Sequence, residues 1–567
     1  MAKYKPSERV TISDRKWPDN RIEKAPVWCS VDLRDGNQAL ASPLTVEQKL
    51  SFFDLLVKIG FRQIEVGFPS ASPTEYEFIR RLIDEKRIPA DVVIQVLCQA
   101  REPLIRTTME AIKGAPAAIF HMYNSTSPAQ RKYTFNKTKD EIRDIAVEGV
   151  KLVRKHLALA GNTPVRLEYS PESFSATEPE YAVEICQAVM DVWYPEGAPK
   201  GPRSVEGKII LNLPSTVESA SPNVYADQIE YFCRHIRDRD SAVISLHTHN
   251  DRGTGVAAAE LGLLAGAERV EGTLFGNGER TGNLDILNLA MNLFSEGVET
   301  GLDFSDIRGV TRIYTELTGM PVHPRHPYAG ELVFTAFSGS HQDAIRKAFA
   351  RRKAEAKENP GAELLWDVPY LLIDPKDVDR EYEEIIRINS QSGKGGAAWV
   401  LEQEYGIFMP RAMQPVFGAA VTASADSSGR ELSAGEIFAL FERNWLKPAN
   451  AALSVTDIAE THLDNSEVSC RATVNWQGRN CFIGGKGNGP LDAFVRALGD
   501  ALRETGVPEF TVTAFHEHSV GSGSSTDAMA YVEITLADGR TFWGCGRSSN
   551  VGRAGISAVV SAVNNVV

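Results

Sequence analysis

The sequence has few cysteines and no pattern that would join them into a disulfide framework. Seven cysteines are scattered along 567 residues, their number is odd, and they form no Cys-x-x-Cys pair. Small disulfide-stapled proteins show the opposite usage, and many zinc and redox motifs contain such a pair. The cysteine usage therefore favours a reducing compartment.

Long apolar runs and clusters of basic residues are also lacking. No stretch approaches the roughly 20 apolar residues of a membrane-spanning helix, and residues 1–20 are polar, without the apolar core of a signal peptide. Lys and Arg are dispersed and the net charge is −13, which argues against nucleic-acid binding. We therefore expect a cytoplasmic protein that acts on neither membranes nor nucleic acids.

Short β-branched or apolar runs recur through the first half of the chain and alternate with helix-patterned segments. Helical spacing is clear at residues 45–59, where Thr45 is a candidate N-cap, at 140–159 and at 225–237. Eight strands, each followed by a helix, favour an α/β fold of the (β/α)₈ TIM-barrel type over an open doubly wound sheet. The predicted strands are residues 27–33, 62–68, 91–97, 117–122, 164–169, 208–213, 242–247 and 269–275.

Beyond residue 300 the alternation stops. A helix is predicted at 330–350, followed by a charged surface loop at 351–362, and residues 418–433 have the composition of a linker. We expect small helical subdomains here, followed by a C-terminal α+β domain. The predicted divisions are an N-terminal arm at 1–25, the barrel at 26–324, helical linker subdomains at 325–420 and the C-terminal domain at 431–567.

The C-terminal domain contains an internal repeat. Residues 471–494 and 532–555 align without gaps at a spacing of 61 and share a Gly-Arg turn, an aromatic residue and a Gly-rich loop before a helix. Two units, at about 454–510 and 511–567, would pair about a pseudo-twofold axis. Such a pair could bind a small ligand between its units, or it could serve purely as a dimerisation module.

Polar residues end nearly every predicted barrel strand, whereas the strand bodies are apolar. His247 and His249 point to the same side of an extended strand and can share one divalent cation. Asp35, at the end of the first strand, supplies an anionic ligand, and Asn283 follows the eighth. Because the active site of a TIM barrel lies at the carboxyl ends of its strands, we predict a metal site there.

Arg34 places a permanent cation beside the predicted metal site. Such a cation would stabilise a developing alkoxide or enolate. Alternatively, it could form a salt bridge to a neighbouring carboxylate, and the sequence leaves both roles open.

Three ordered motifs on different strand ends resemble the α-isopropylmalate synthase family. This family belongs, with homocitrate and citramalate synthases, to the Claisen-condensing barrel enzymes. The resemblance covers essentially the whole chain. The motifs are Leu33-Arg34-Asp35-Gly36-x-Gln38, His247-Thr248-His249-Asn250-Asp251 and Gly276-Asn277-Gly278-Glu279-Arg280-Thr281-Gly282-Asn283.

The resemblance implies condensation of acetyl-CoA with 2-oxoisovalerate, the committed step of leucine biosynthesis. It implies a divalent metal cation, Mg²⁺ first, with Mn²⁺ and Zn²⁺ as alternatives, held by Asp35, His247 and His249 with Asn283 nearby. Gln38, His121 and Thr216 are assigned to substrate binding. The catalytic assignments are Arg34 for the alkoxide, Glu172 lining the acetyl group, and His341 and Tyr370 as candidates for the general base.

The resemblance also implies regulation and assembly. The C-terminal domain would bind L-leucine, with Gly487, Asn488 and Gly489 in the effector loop, and the helical subdomains would require a homodimer if they reach the partner's barrel. His341 could equally be a surface helix histidine. The alternatives are homocitrate or citramalate synthase, a lyase on the same barrel, and a catalytically silent amino-acid sensor, against which the intact Arg34, Asp35 and His-x-His motif argue.

Overall fold

The computed structural model describes residues 7, 9–198, 207–336, 338–384, 396–428, 432–448, 451–462, 467–503, 509–521 and 526–566. The chain divides into two compact units. The first comprises Met1–Phe334 and Leu372–Glu381, and the second comprises Thr335–Leu371 and Tyr382–Val567. None of the helices in the described ranges combines the length and apolar composition needed to cross a membrane.

Parallel strands of the first unit close into an eight-stranded barrel, which confirms the predicted fold. Neighbouring strands in the sequence are neighbours in the barrel, and the eighth pairs with the first. Every predicted strand overlaps an observed one. The strands are Val27–Ser30 (β1), Gln63–Gly67 (β2), Val93–Gln99 (β3), Ala118–Ser125 (β4), Val165–Glu172 (β5), Ile209–Ser215 (β6), Ala242–Thr248 (β7) and Arg269–Gly272 (β8).

A helix follows each barrel strand. The three helices with the clearest spacing in the sequence form as expected, and Thr45 caps the first of them in a reciprocal capping box with Gln48. The helices are Val46–Ile59 (α1), Pro73–Asp84 (α2), Glu102–Ala111 (α3), Pro128–Gln130 (α4, a single turn), Lys139–His156 (α5), Pro179–Trp193 (α6), Pro222–His235 (α7), Gly255–Leu264 (α8), Ile286–Ser295 (α9) and Ile307–Thr318 (α10).

The barrel interior is more polar than the apolar strand bodies suggest, so that expectation is wrong. Ile119, Ile210 and Val243 form a small apolar cluster. The interior also holds Arg269, which is fully buried and donates hydrogen bonds to Gln63 at 2.7 Å. Because polar groups buried in this way bond to one another, their burial carries little net cost. One or two polar residues within an apolar run, such as Gln95 in β3 or Arg269 and Glu271 in β8, were the sign of this layer in the sequence.

The second unit begins with a two-residue strand, Thr335–Ala336 (β9), which pairs in parallel with Glu383–Glu384 (β10). Between them a helix spans Gly339–Glu358 (α11). The predicted boundaries are wrong here: the helix starts later than residue 330, and it continues through most of the stretch predicted as a loop. Paired charges three or four residues apart, such as Arg351 with Glu355 at 2.7 Å, extend the helix where the composition suggested a loop.

The helices that follow in the described residues are Gly396–Tyr405 (α12), Gln414–Ser428 (α13) and Ala434–Phe441 (α14), the last of which lies within the predicted C-terminal domain. The linker predicted at 418–433 is largely helix instead. Phe417, Val421 and Ala425 recur at helical spacing on its buried face. The small residues that suggested a linker are therefore helix-compatible residues in a packed element.

The C-terminal domain consists of two βββα units. The first contains Leu453–His462 (β11), Val468–Trp476 (β12), Arg479–Gly487 (β13) and Pro490–Leu502 (α15). The second contains Phe510–Val520 (β14), Asp527–Leu536 (β15), Thr541–Ser548 (β16) and Val551–Asn564 (α16). Each set of strands forms its own antiparallel sheet. The repeat in the sequence corresponds to the last two strands and the helix of each unit; the first strand of each was not predicted.

Helices α12–α14 share a core with the second sheet. Phe417, Phe441 and Trp445 belong to the same buried cluster as Tyr531 and Trp543 of β15 and β16. Removing the C-terminal domain would therefore expose apolar side chains of these helices.

Candidate active site

A cavity of about 280 Å³ opens at the carboxyl ends of the barrel strands. It brings together residues that are far apart in the sequence, from the first strand to the loop after the eighth. Among the predicted site residues, eight line it directly. The lining residues are Arg34, Asp35, Gln38, Leu97, His121, Tyr123, Ser170, Glu172, Asn212, Pro214, Thr216, His247, His249, Glu279 and Arg280.

Asp35, His247 and His249 form a buried cluster within this cavity. One potential ligand atom from each lies within 4.8 Å of the others. His247 is on β7, two residues before His249, and the two rings are 5.2 Å apart. Nε2 of His247 lies 3.3 Å from the Asp35 carboxylate. A carboxylate and two imidazoles at these distances could hold one divalent cation.

Hydrogen bonds fix which nitrogen of each histidine faces the cluster. Nδ1 of His247 donates to Glu271 at 2.7 Å, and Nδ1 of His249 donates to the carbonyl of Gly282 at 3.2 Å. Carboxylate and carbonyl oxygens only accept, so both Nδ1 atoms carry the proton. Nε2 of each ring is therefore left for a metal.

Asn283 is not among the lining residues, but it pairs with His249 in an isolated β-bridge and is therefore a candidate fourth donor beside the cluster. Its amide nitrogen donates to the carbonyl of Asn277 at 3.1 Å, whereas its buried Oδ1 accepts no hydrogen bond from the residues that the structure describes. Gly282 has φ +105, and a Cβ there would lie 2.0 Å from the carbonyl of Gly276, so the loop needs glycine to bring Asn283 in. One carboxylate, two imidazoles and an unused amide oxygen suit a divalent cation.

The electrostatics of the cluster favour a cation. Burial alone would raise the pKa of Asp35, but the Arg34 guanidinium and His247 hold it well below its usual range. Burial and the neighbouring His247 lower the pKa of His249 to about 4. Burial alone would lower the pKa of His247, but its bonds to Asp35 and Glu271 raise it to about 10. Asp35 is thus held ionised and His249 neutral, which are the forms in which a carboxylate and an imidazole ligate a metal, whereas His247 would have to release a proton to do so.

Arg34 joins two carboxylates at the wall of the cavity. Its Nη1 is 2.6 Å from Asp35, and its Nε is 2.6 Å from Glu65. Both roles left open by the sequence are therefore compatible with the structure, because a guanidinium that bridges two carboxylates can still present further N–H groups to the cavity.

The other predicted substrate-binding residues are distributed around the same rim. His121 donates from Nδ1 to Glu65 at 2.9 Å, and its Nε2 is 2.8 Å from Oγ of Ser170. Gln38 donates to Glu279 at 2.8 Å. Thr216 accepts at Oγ1 from the backbone N–H of Ser173 at 2.9 Å. Glu172, the last residue of β5, also lines the cavity.

These contacts form a continuous ring of side chains, which we call the side-chain ring; its links are hydrogen bonds except for the last, the 3.3 Å ion pair between His247 and Asp35. After His121 and Ser170 the ring continues through Asn212, which donates to Ser170 and to Glu271 at 3.0 Å each. Glu271 leads to His247 and so back to Asp35. In order, the members are Asp35, Arg34, Glu65, His121, Ser170, Asn212, Glu271 and His247.

No role was assigned from the sequence to Glu271, to its ring partners Glu65, Ser170 and Asn212, or to Arg269 beneath it. Arg269, Glu271, Gln63 and Gln95 are buried polar residues inside strands. A charged residue in the middle of an apolar strand is the signal that could have identified them, because such a residue is buried only when it is paired.

A second group of potential ligands lies deeper in the barrel. Atoms of His121, Glu168 and Glu271 also come within 4.8 Å of one another. Arg269, however, lies 2.8 Å from Glu271 and 3.4 Å from Glu168. A fixed guanidinium therefore already supplies the positive charge at this group.

His341 and Tyr370 belong to the second unit, where they contact each other. His341 lies in the first turn of α11, and its ring stacks on Tyr370 with centroids 3.9 Å apart. Tyr370 is 63% exposed and has φ +66, an uncommon conformation for a residue with a side chain. His341 is thus exposed on a helix, which fits the alternative of a surface helix histidine, and its ring is in contact with Tyr370.

Gly487, Asn488 and Gly489 connect β13 to α15 in the first repeat. The backbone N–H of Asn488 donates to Asp492 at 3.0 Å. A Cβ on Gly487 would lie 2.5 Å from the backbone nitrogen of Ala493, so the strand end packs directly on the helix. Gly489 has no neighbour within 4 Å of a built Cβ.

Three family models match successive parts of the chain. The HMGL-like model matches residues 25–313. The model described as "Alpha-isopropylmalate synthase, post-catalytic domain-like" matches residues 331–402, and the LeuA allosteric (dimerisation) domain matches residues 431–567.

Full-length relatives agree with these matches. The 2-isopropylmalate synthase of Clostridium acetobutylicum is 50% identical over 99% of this chain and 98% of its own length. The enzymes of the same name from Acetoanaerobium sticklandii and Rhodospirillum rubrum are also 50% identical, over 100% of this chain and 96% and 98% of their own lengths. The similarity thus extends across the barrel, the helical segments and the repeated domain.

Proposed function

This chain belongs to the 2-isopropylmalate synthase family, and from that premise we propose that its barrel cavity condenses acetyl-CoA with 2-oxoisovalerate and then hydrolyses the thioester. The products are 2-isopropylmalate and CoA. The observation that carries the proposal is the cluster of Asp35, His247 and His249 beside Arg34 in one cavity. It is an acyl transfer in which the acetyl group becomes an alkyl group of the product.

A divalent cation is proposed at the Asp35 cluster, with Asn283 as a further oxygen donor. Mg²⁺ is our first assignment because two of the four donors are oxygens, and Mn²⁺ and Zn²⁺ are the alternatives. When bound, the cation would act as a Lewis acid toward the ketone of the 2-oxo acid.

The surrounding side chains would hold the 2-oxo acid and stabilise charge. We assign Gln38, His121 and Thr216 to binding of the 2-oxo acid, since all three line the cavity. Arg34 would stabilise the alkoxide that forms at the ketone oxygen. Glu172 would lie along the acetyl group. Leu97 and Pro214 provide apolar lining that suits a branched side chain.

The general base is proposed to be His341, with Tyr370 as its stacked neighbour. A base must remove a proton from the thioester methyl, and imidazole is suited to that task near neutral pH. The stacking supports a joint role for the pair.

In the His341→Asn variant the general base would be lost, so kcat should fall with little change in KM. An unchanged kcat would exclude His341 as the base.

The proposed reaction is tested by following CoA thiol release from acetyl-CoA in the presence of divalent metal and one 2-oxo acid at a time. We expect the highest kcat/KM with 2-oxoisovalerate. Pyruvate lacks two methyl groups, and each apolar group is worth about 1–3 kcal/mol in a fitted pocket. Release that is fastest with pyruvate or 2-oxoglutarate would instead favour a citramalate or homocitrate synthase, and no release with any acid would refute the proposal.

We further propose that L-leucine inhibits the enzyme through the loop Gly487–Gly489. The match to an allosteric domain supports an amino-acid effector.

A point variant is the better test of this proposal, because deleting the domain would expose the core that α12–α14 share with it. Asn488→Val should raise the leucine concentration for half-inhibition about tenfold, within the usual range of allosteric coupling, and leave kcat unchanged.

The control for this test is Ser549→Val, which introduces the same residue at the equivalent exposed position of the second repeat, 61 residues later. It should retain normal leucine inhibition. Equal loss of inhibition in both variants, or in neither, would contradict the assignment of the effector loop.

A homodimer in the cytoplasm completes the proposal. The dimerisation-domain match supports assembly, and all seven cysteines are free, which suits a reducing compartment. Light scattering should give about twice the chain mass of 62.2 kDa, and a monomer would contradict the assembly.

A further inference from the structure

We propose that Glu271 is a positioning residue of this enzyme: it holds Nε2 of His247 toward the metal position and ties that ligand to the substrate side of the cavity. The inference rests on the proposed function for its metal and substrate. Glu271 is on β8, below the cavity lining, and is fully buried.

Glu271 accepts four hydrogen bonds, two at each oxygen. Oε1 accepts from Arg269 and Gln95, each at 2.8 Å. Oε2 accepts from His247 at 2.7 Å and from Asn212 at 3.0 Å. A carboxylate can satisfy about four such positions, so both its location and its ionised state are fixed.

The bond from His247 decides which nitrogen can ligate. With Nδ1–H directed at a carboxylate, the ring presents Nε2 toward Asp35 and His249. A metal would bind Nε2 in place of the proton on that nitrogen. Partners that hold the second nitrogen of a ligating histidine in this way typically change metal affinity by about 10–100-fold when they are lost. His249 has only a backbone carbonyl at the corresponding position, at a longer 3.2 Å. The orientation of His247 therefore depends on the Glu271 side chain, which a substitution can alter.

The hydrogen bond from Asn212 connects Glu271 to the substrate side of the cavity. Because Glu271 can only accept, the amide of Asn212 must turn its nitrogen toward it. The same amide nitrogen donates to Ser170, which contacts His121. Glu271 is thus the link in the side-chain ring between the metal cluster and the residues assigned to the 2-oxo acid.

Glu168 provides a matched control. It is also fully buried inside the barrel and also lies near Arg269, at 3.4 Å. It is not among the hydrogen-bond partners of His247 in the part of the chain that the structure describes. The same carboxyl-to-amide change at Glu168 therefore perturbs the buried layer without touching the metal ligand.

The experiment compares Glu271→Gln with Glu168→Gln in the full-length protein. Glutamine keeps the size of the side chain but replaces one carboxylate oxygen with an NH₂ group. Two of the four N–H groups that donate to Glu271 would then face another donor. We expect Glu271→Gln to weaken Mn²⁺ binding, measured by titration calorimetry on metal-free protein, by about 10–100-fold. Its kcat should fall as well. Glu168→Gln should keep the Mn²⁺ affinity of the wild type.

Two calorimetric results would overturn the proposal. These are unchanged Mn²⁺ affinity in Glu271→Gln, or an equal loss in both variants, which would indicate a general effect of disturbing the buried layer. Because Mn²⁺ binding is measured without substrate, failure of the proposed reaction in the wild-type assay would be recognised separately.

A second measurement applies if Glu271→Gln does not fold. In Co²⁺-loaded wild-type protein, each histidine bound through Nε2 should give one strongly shifted, slowly exchanging Nδ1–H proton signal. Two such signals are expected, because both Nδ1–H groups are buried and hydrogen-bonded. A single signal, or rapid exchange of the one assigned to His247, would contradict the role of Glu271.

Discussion

His249→Ala is expected to lower kcat by at least about 10³-fold without unfolding the barrel. A bound Lewis acid contributes several kcal/mol to stabilising the transition state, and each 1.4 kcal/mol corresponds to about tenfold in rate. The His249 side chain is buried, and in the described residues its ring donates from Nδ1 to a backbone carbonyl. The truncation removes a ligand and leaves a cavity, which should lower Tm, as in the control below, without preventing folding. The same variant should lose the metal-dependent rise in Tm, because a ligand stabilises only a protein that binds it.

A matched control is His156→Ala. His156 is also a buried histidine with one hydrogen-bond partner, Glu102 at 2.8 Å, but it is on α5 and does not line the cavity. It should lower Tm and keep both turnover and the metal-dependent shift. If His249→Ala retains the metal-dependent shift, the assignment of His249 as a ligand is wrong, whatever its activity.

The barrel could be predicted because its signals are local and periodic. Each strand is a short run bounded by polar residues, and in a closed parallel barrel every strand is followed by a helix with one apolar face. Thr45, for example, predicts the start of α1 from its own sequence neighbourhood, and the capping box is present. The order of strands then follows because sequential neighbours pair.

Beyond the barrel, amino-acid composition predicted the secondary structure less well. The stretch after residue 350 is charged and was expected to be a loop, yet Arg351 and Glu355 pair along α11. Residues 418–433 are rich in small side chains, yet Val421 packs into a core completed by β15 and β16. In both places the decisive interactions are with partners that local composition does not reveal.

The candidate site likewise combines residues that could be predicted from the sequence with residues that could not. Asp35, His247 and His249 are found from the sequence because barrel topology brings strand ends together. Asn283 follows from its motif, but the reason that its oxygen is available, an amide turned toward Asn277, is visible only in three dimensions. Glu271 was missed because it is one level below the strand ends, where its four partners come from four different strands.

Arg34→Lys is expected to lower kcat by about 10²–10³-fold, because removing one preorganised donor to a developing oxyanion typically costs that much. Lysine keeps the charge, but its donors are all on one nitrogen, so it cannot occupy the separate Nη1 and Nε positions that contact Asp35 and Glu65 and also face the substrate. Arg131→Lys is the control: Arg131 is buried and contacts Glu178 through two nitrogens, at 2.7 and 2.9 Å, but does not line the cavity. Both variants should lose stability, and only Arg34→Lys should lose turnover in the thiol-release assay. If Arg34→Lys keeps kcat within the range of the control, Arg34 serves only as a salt bridge between two carboxylates.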